Sequence, residues 1–478
     1  MPSLYLYKKN ILESLEVGDA HYYNKTQYYM ICLIPFLVLN FYWFTLDPFQ
    51  MAFQHVFSMK LFNCWYTLAI DGISFFFIYL TGLLIFLCVL FNWNNDDKMH
   101  ESMVCLLSIE FLLVMVFCVV DLLLFYILFE AILIPFFIFI GIMGYRKRRI
   151  HAAYLLFFYT LTGSFFMLVG LITLYLNTGS TNVLFLQFVE MPFQTELFIW
   201  ICFFFSFAIK IPIFPFHIWL PEAHVEAPTE GSVLLAGVLL KLGTYGFLRF
   251  IFPILPNASY YFSPLVLLLS SLGVLYASLT TLRQIDIKRI IAYSSVAHMN
   301  LCIIGLFNFD VISFVGSVLL MIGHGIVSGG LFFLIGILYK RYHTKLIYYY
   351  SGMVYTMPLF STFFFLFTLG NISMPGTSNF LGELLILNGL VIQLNFLLVI
   401  IVCLGIFLGT IYSMWLYNKI NFGLPYYNFY KNIVDISYLE FFILSILWFF
   451  VLWIGLYPKQ FIDLLYPAII YNNLFLIN

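Results

Sequence analysis

The run Leu122-Leu-Leu-Phe-Tyr-Ile-Leu-Phe-Glu-Ala-Ile-Leu-Ile-Pro-Phe-Phe-Ile-Phe-Ile-Gly-Ile-Met143 is apolar on every side, with one carboxylate, Glu130, in its interior. A strand of a membrane barrel would alternate apolar and polar residues over about ten positions, and this run does not. An apolar run of about 20 residues is typical of a helix that crosses the hydrocarbon core of a bilayer. The run therefore predicts a transmembrane helix with an acid inside it.

The composition of the whole chain agrees with this prediction. Of 478 residues, 63% are hydrophobic, 21% aromatic and 9% charged, whereas soluble domains carry about a quarter charged residues. A net charge of −1 excludes a protein that binds nucleic acid through a basic surface. The eight cysteines are scattered without a CxxC pair, so we expect no disulfide framework, zinc site or iron–sulfur site. The predicted fold is an all-α polytopic membrane protein.

Thirteen apolar runs are long enough to be membrane spans. They are 28–46, 72–93, 102–120, 122–143, 152–176, 196–216, 231–250, 263–282, 289–307, 311–339, 355–373, 387–414 and 440–457. We predict five regions: a polar N-terminal segment (1–27), N-terminal helices and a loop (28–101), a first five-helix repeat (102–250), a second, inverted five-helix repeat (263–414), and a C-terminal helix with a surface tail (440–478).

The basic residues test the number of spans, because loops on the cytoplasm-facing side are rich in Lys and Arg. With thirteen spans, sixteen of the 21 basic residues fall on the side that holds the N-terminus, and three fall on the other side. Those three are Lys60, Arg249 and Lys459. The asymmetry predicts an N-terminus on the cytoplasm-facing side and a C-terminus on the opposite side. The two basic residues left over, Lys210 and Lys241, lie within spans.

Four charged residues stand out in the apolar stretches: Glu130, Lys210 and Lys241 lie inside predicted spans, and Glu383 lies just past the interruption between the runs 355–373 and 387–414. A charge at the centre of a membrane helix costs about 2.5–3.5 kcal/mol on insertion scales, and such residues mostly mark ion or proton paths. Buried ion pairs that only lock helices together are the alternative.

The chain also predicts two broken helices. Two prolines follow Lys210 within five residues, and Glu383 follows the stretch Gly370-Asn-Ile-Ser-Met-Pro-Gly-Thr-Ser-Asn-Phe-Leu-Gly382. Broken backbone at membrane depth is tolerated only where it is buried or lines a wet cavity. The breaks fall in the sixth and eleventh spans. Five spans is an odd number, so the two five-span units would have opposite topology, as in transporters built from inverted repeats.

Histidine can relay protons near neutral pH, and four histidines lie in or beside spans: His217, His224, His298 and His324. His298 and His324 lie at the middle of their spans, where a relay and an ordinary buried histidine are both possible. Lys241 lies among Gly237, Gly243 and Gly246, which predict a close helix crossing.

Two stretches resemble a known family. Ala208-Ile-Lys-Ile-Pro-Ile-Phe-Pro-Phe-His-Ile-Trp-Leu-Pro-Glu-Ala-His-Val-Glu-Ala-Pro-Thr229 and Arg283-Gln-Ile-Asp-Ile-Lys-Arg-Ile-Ile-Ala-Tyr-Ser-Ser-Val-Ala-His298 are similar to motifs of the antiporter-like subunits of respiratory complex I. The resemblance runs from about 71 to 458. Within that family, the stretch 121–130 and the acidic Glu383, where sister subunits usually carry lysine, single out one type of subunit.

The resemblance implies proton translocation coupled to NADH oxidation and ubiquinone reduction in other subunits. It implies that Glu130 and Lys210 interact in a first half-channel, that Lys241, His298 and His324 follow a polar axis, and that Glu383 acts in a second half-channel. No cofactor is expected in this chain; NADH, FMN, iron–sulfur clusters and ubiquinone are expected in partner subunits. The partners would be other membrane-arm subunits, including sister antiporter-like subunits, and membrane lipids.

The family also implies a location in the mitochondrial inner membrane, with the N-terminus in the matrix and the C-terminus in the intermembrane space. Its members usually have fourteen spans, and the first one is missing from our count. Three other functions remain open: a cation/proton antiporter or hydrogenase-linked subunit, a structural membrane subunit without a proton path, and a quinone reductase. The last is disfavoured because the chain has no GxGxxG motif after a strand.

Overall fold

The computed structural model describes residues 30–61, 64–93, 98–144, 146–424 and 434–472. The predicted polar segment 1–27 lies outside the described residues. In the described part, eleven helices are long and apolar enough to cross a membrane, and three shorter apolar helices accompany them. The predicted helical, polytopic architecture is therefore confirmed.

The elements follow one another along the chain with mostly short connections. The helices are α1 Met30–Trp43, α2 Gly72–Phe91, α3 Met99–Cys118, α4 Leu122–Met143, α5 Arg149–Thr178, α6 Phe193–Lys210, α7 Trp219–Glu226, α8 Thr229–Ile254, α9 Pro256–Thr281, α10 Ile287–Leu306, α11 Val311–Tyr342, α12 Pro358–Asn371, α13 Ser378–Ile392, α14 Phe396–Asn421, α15 Tyr438–Leu456 and α16 Lys459–Asn472. The strands are β1 Gln54–Leu61 and β2 Cys64–Ile70, and the short helices are Val183–Leu186, Ile347–Tyr349 and Met353–Thr356.

Three sequence-based boundaries need correction. The region 28–101 holds an antiparallel hairpin, β1 with β2, which a search for apolar runs of about 20 residues does not detect because its strands are 8 and 7 residues long. The predicted span 387–414 crosses a turn: α13 ends at Ile392 and α14 begins at Phe396, with Leu394 at φ 58° between them. The residues 378–392 instead form the second half of a broken helix.

The third correction concerns the C-terminal segment, which we predicted to be a surface tail. It forms α16, one face of which is buried, with Phe461, Leu465 and Ile469 at most 3% exposed. This face contacts α2 and α11. Asp463, Pro467 and two asparagines suggested a segment lying along the surface, but the apolar spacing fits a helix packed along the bundle.

The loops lie on two faces of the bundle. Six hydrogen bonds, ion pairs or β-bridges each join residues on the same face. On the basic face, which carries most loop Lys and Arg, the pairs are Asp286 with Leu346, Lys288 with Ala227 and Arg341 with Glu440. On the opposite face the pairs are Leu68 with Val119, Asp121 with Asn182 and Asn395 with Asn308. This sorting is what the predicted alternation of spans requires.

The two broken helices divide the bundle into matching sets. The first set is α3, α4, α5, the pair α6–α7, and α8; the second is α9, α10, α11, the pair α12–α13, and α14. In each set the fourth helix is broken, and the two breaks are five spans apart, as predicted. The helices α2, α8 and α11 form the centre, since their apolar windows are entirely buried.

Candidate functional site

The first break places Lys210 at the end of α6. The chain turns at 211–218 and resumes as α7. Two carbonyl groups freed by the break find side-chain donors: Trp219 Nε1 donates to Ile209 O at 2.9 Å, and Asn300 Nδ2 donates to Pro212 O at 3.4 Å. From Ile209 to Ile213 the broken backbone is thus buried and largely satisfied, as membrane depth demands.

Lys210 is 1% exposed, and its charge is favoured by the carboxyl end of the α6 dipole. Its Nζ lies 3.5 Å from Phe129 O and 4.1 Å from the centre of the Phe129 ring, a cation–π contact. Glu130 is the next residue. In the described part of the chain, Glu130 and Lys210 interact electrostatically without a direct ion pair, and Glu130 Oε1 has no protein partner.

The second break places Glu383 in α13, six residues into that helix. The carboxylate is 5% exposed. It lines a cavity of about 20 Å³ together with His298, Asn371 and Tyr412, which is room for about one water. At the same break, Ser378 Oγ and the Nδ2 and Oδ1 atoms of Asn379 are buried without a protein hydrogen-bond partner. These polar atoms therefore require water or a neighbouring side chain that moves.

The centre of the molecule holds a row of four titratable side chains from four different helices. Lys241 Nζ of α8 lies 3.1 Å from His324 Nδ1 of α11 and also contacts Ala236 O. The His324 ring lies 5.4 Å from the His298 ring of α10, centre to centre. His298 Nδ1 lies 3.3 Å from Glu383 Oε1 of α13. We call Lys241, His324, His298 and Glu383 the central row.

Glycines bring the helices of the central row together. A Cβ on Gly325, next to His324, would lie 3.0 Å from Gly237 O of α8. α8 also contains two π-helical segments, Leu235–Leu239 and Phe247–Ile251. Such bulges are frequent at functional sites because each shifts the register of the side chains that follow. The predicted close crossing at Gly237 is confirmed.

The other two predicted histidines lie outside the central row. His217, in the first break, packs against the rings of Phe214 and Tyr276, and no described contact joins it to the row. His224 in α7 stacks on Phe332 with ring centres 4.9 Å apart, and neither of its nitrogens has a protein partner. The cations that act on His224 are Lys288 and Lys241, so it lies between the basic face and the row.

Sequence reasoning missed several buried charges. Glu110 is 7% exposed at the middle of α3, and the rule that selected Glu130 should have selected it. Lys288 and Lys345 were counted as loop charges, yet both are 0% exposed, and they donate to Ala227 O and Val225 O. Burial lowers the pKa of Lys345 to about 8, although Glu226 acts to raise it. No local pattern could have revealed these two lysines, because the packing of α7 buries them.

Arg249 was also counted as a loop residue. It is 2% exposed and pairs with Asp71 at 2.6 Å, while its Nη1 donates to Asn472 Oδ1 at 2.9 Å. Tyr245 accepts from Arg249 Nε at 3.1 Å. This Asp71–Arg249–Asn472 cluster joins α2, α8 and α16 at the opposite face. Across the described residues, no three His, Cys, Asp or Glu side chains gather so as to hold a metal ion.

Comparisons with known proteins agree with this architecture. Residues 119–409 match the family model "NADH:quinone oxidoreductase/Mrp antiporter, TM". The NADH-ubiquinone oxidoreductase chain 4 of Chondrus crispus is 51% identical over 403 residues, 84% of this chain and 82% of that protein. The chain 4 of Arabidopsis thaliana is 49% identical over 441 residues, 91% of this chain and 89% of that protein.

Solved structures give the same fold. A chain of respiratory complex I from Thermus thermophilus superposes with a TM-score of 0.86 at 27% identity, covering 94% of each chain. A chain of the Mrp complex from Dietzia sp. superposes with a TM-score of 0.82 at 17% identity, covering 94% of this chain and 92% of the other, and shows the fold alone. This chain therefore belongs to the NADH:quinone oxidoreductase/Mrp antiporter transmembrane family, among the relatives named chain 4.

Proposed function

We propose that this chain is a proton-translocating subunit of the membrane arm of respiratory complex I. The central row carries the proposal, because three successive contacts link Lys241 to Glu383 through two histidines. Buried charges are costly in a membrane protein, and four titratable groups in sequence are more than helix packing needs. The chain 4 relatives favour NADH:ubiquinone oxidoreductase over a cation/proton antiporter.

Proton transfer along the row follows from the order of its groups. The Lys241 ammonium would give a proton to His324 Nδ1, and the imidazolium would release one from Nε2. The 5.4 Å between the histidine rings suits transfer through a bridging water. His298 would then pass a proton from Nδ1 to Glu383 Oε1. Each step moves one positive charge one residue onward and leaves the helices in place.

Glu130 and Lys210 would control entry to the row. Protonating Glu130 removes the negative charge that stabilises the Lys210 ammonium, so Lys210 then loses its proton more readily. The electrostatic coupling between the two groups supports this role. On this proposal the halves 102–250 and 263–414 act as two related half-channels, and His217 and His224 are lesser relay candidates.

The wider setting is part of the proposal. The partners are other membrane-arm subunits, including sister antiporter-like subunits, and FMN, iron–sulfur clusters, NADH and ubiquinone would bind in partner subunits. We place the chain in the mitochondrial inner membrane, with its N-terminus in the matrix and its C-terminus in the intermembrane space. The unequal distribution of basic residues and the plant and algal relatives support this orientation and location.

Variants of the charged residues test the relay in the assembled complex. We expect Glu130→Gln, Lys210→Ala and Lys241→Met each to lower both NADH:quinone turnover and proton pumping by roughly 100-fold, the usual contribution of a positioned proton-transfer group. The exposed Glu101→Gln is the matched control for loss of a carboxylate. Pumping and turnover that both survive in assembled complexes would rule out the relay.

The second candidate, a structural subunit without a proton path, predicts the reverse. Replacing a buried pair by apolar residues of similar volume often preserves or raises stability. If the row only locks helices, Lys241→Met with His324→Leu should leave both stability and activity intact. If the row is a relay, the double variant should assemble but be inactive.

A further inference from the structure

A groove between α3 and α4 lies on the outside of the bundle, away from the central row. It has a volume of about 640 Å³ and is lined mostly by apolar side chains. Val104, Ile134 and Ile138 in its wall are 51%, 60% and 41% exposed. Apolar groups on the outer surface of a membrane protein face hydrocarbon, so the groove offers a concave surface to an apolar ligand.

The groove extends through one leaflet only. Along α3 it runs from His100 to Leu112, and along α4 from Met143 back to Ala131. Twelve residues of helix cover about 18 Å at a rise of 1.5 Å per residue. Half of a hydrocarbon core of about 30 Å is about 15 Å. The length thus matches a phospholipid acyl chain, whereas a helix from another subunit would cross the whole core.

The mouth of the groove is basic. α4 ends at Met143, and the turn that follows carries the exposed Arg146, Lys147 and Arg148. Arg149 is held against this end, since its Nη1 donates to Ile142 O and Gly144 O. On the other side of the mouth, Lys98 precedes α3, and His100 and Glu101 line the groove. Glu101 is the one acid among the described residues of the mouth. Even with Asp96 and Asp97, which precede Lys98 in the sequence, the segments 96–101 and 146–149 carry five basic and three acidic residues. The mouth is therefore net positive at the level of the lipid headgroups.

We infer that this groove, bounded by α3, α4 and the turn 146–149, binds one anionic phospholipid. An acyl chain lies along Val104, Ile134 and Ile138, and the phosphate lies at the basic turn. Clusters of Lys and Arg beside a membrane helix attract anionic lipid headgroups. The site lies away from the central row, and its inner end, at Ala131, adjoins Glu130.

Photolabelling of the assembled complex in nanodiscs tests the site. The probes are phosphatidylglycerol and phosphatidylcholine, each with a diazirine on one acyl chain. We expect phosphatidylglycerol to label peptides of Met99–Cys118 and Leu122–Met143 well above phosphatidylcholine. Equal labelling by the two lipids would overturn the proposal, as would an absence of label because a neighbouring subunit fills the groove. This comparison needs no variant.

Two pairs of variants locate the lipid. Lys147→Gln with Arg148→Gln should lower phosphatidylglycerol labelling roughly 30-fold, since each basic residue near the headgroup contributes about a factor of five. The exposed pair Arg283→Gln with Lys419→Gln, on the same face, should leave the labelling unchanged. Ile138→Phe should lower labelling by narrowing the groove, whereas Ile172→Phe on the exposed side of α5 should not. Unchanged labelling in both groove variants would contradict the assignment.

Discussion

Asp71 illustrates how a buried charge depends on its partner. Burial of its carboxyl group opposes ionisation, but the Arg249 guanidinium and hydrogen bonds from Ser74 outweigh this, so the pKa of Asp71 is lowered from its usual value of 3.8. Because the pKa of Asp71 is lower in the folded state than in the unfolded state, the folded state binds fewer protons between these two pKa values. The stabilisation is therefore present above pH about 4 and is lost as the pH falls through the lowered pKa.

We expect Asp71→Asn to destabilise the protein by about 3–5 kcal/mol, because the variant leaves a buried guanidinium without its counter-charge. Thermal unfolding of the purified complex, measured from pH 7 down to pH 3, checks two things. The variant should be less stable than the parent at pH 7, and it should lack the loss of stability that protonation of Asp71 causes in the parent at low pH. Asp463→Asn, at an exposed position in α16, is the control. A variant as stable as the parent would show that Arg249 needs no partner.

The sequence singled out the charges in the middle of apolar runs, apart from the overlooked Glu110, but not those near the ends of runs. Glu130, Lys210 and Lys241 stand out because their neighbours are apolar for a turn or more on each side. Lys345 and Arg249 have polar residues or a chain reversal nearby, so the sequence fits a solvent-exposed loop equally well. Only the packing of distant elements over them decides their burial. The contact of His298 with Glu383, 85 residues later in the chain, likewise follows from no local pattern.

At the scale of elements, the first break depends on donors that lie outside the broken helix. Trp219 is fully buried and its indole N–H binds Ile209 O. That carbonyl belongs to the last turn of α6, which carries Lys210. The proline spacing predicts the break itself, but it does not identify the indole of α7 as the group that stabilises it.

Trp219→Phe should therefore destabilise the complex by about 1–3 kcal/mol, the cost of a buried carbonyl left without a donor. The midpoint of thermal inactivation of NADH:quinone turnover is a suitable measurement. Trp415→Phe, at a 41% exposed position in α14, controls for the loss of an indole. Equal midpoints for the two variants would show that the bond to Ile209 O does not stabilise the break.

At the scale of the whole molecule, the sorting of loops into two faces makes the orientation testable. Lys419 lies in the last turn of α14 on the basic face, and Lys459 begins α16 on the opposite face; both are exposed. Sixteen basic residues against three predict that the basic face lies in the matrix. The two positions should therefore react from different sides of the membrane.

We expect the cysteine introduced by Lys419→Cys to react with an impermeant maleimide only in inverted inner-membrane vesicles, whose outer surface is the matrix side. A cysteine in Lys459→Cys should react only in mitoplasts, whose outer surface faces the intermembrane space. The parent chain, labelled in parallel, accounts for the exposed Cys403. Labelling of both positions from one side would contradict the alternation of spans, and labelling from the reversed sides would contradict only the orientation.

The Asp71–Arg249–Asn472 cluster sets an order of events during synthesis. Asn472 follows Arg249 by 223 residues and Asp71 by 401 residues. Asp71 and Arg249 are therefore both synthesised long before the ribosome has made the amide that completes their hydrogen bonds. Until α16 packs against the opposite face, the Asp71–Arg249 pair lacks the hydrogen bonds that Asn472 supplies. A chain truncated before α16 would lack these hydrogen bonds permanently, and its buried charged pair would stay incompletely satisfied.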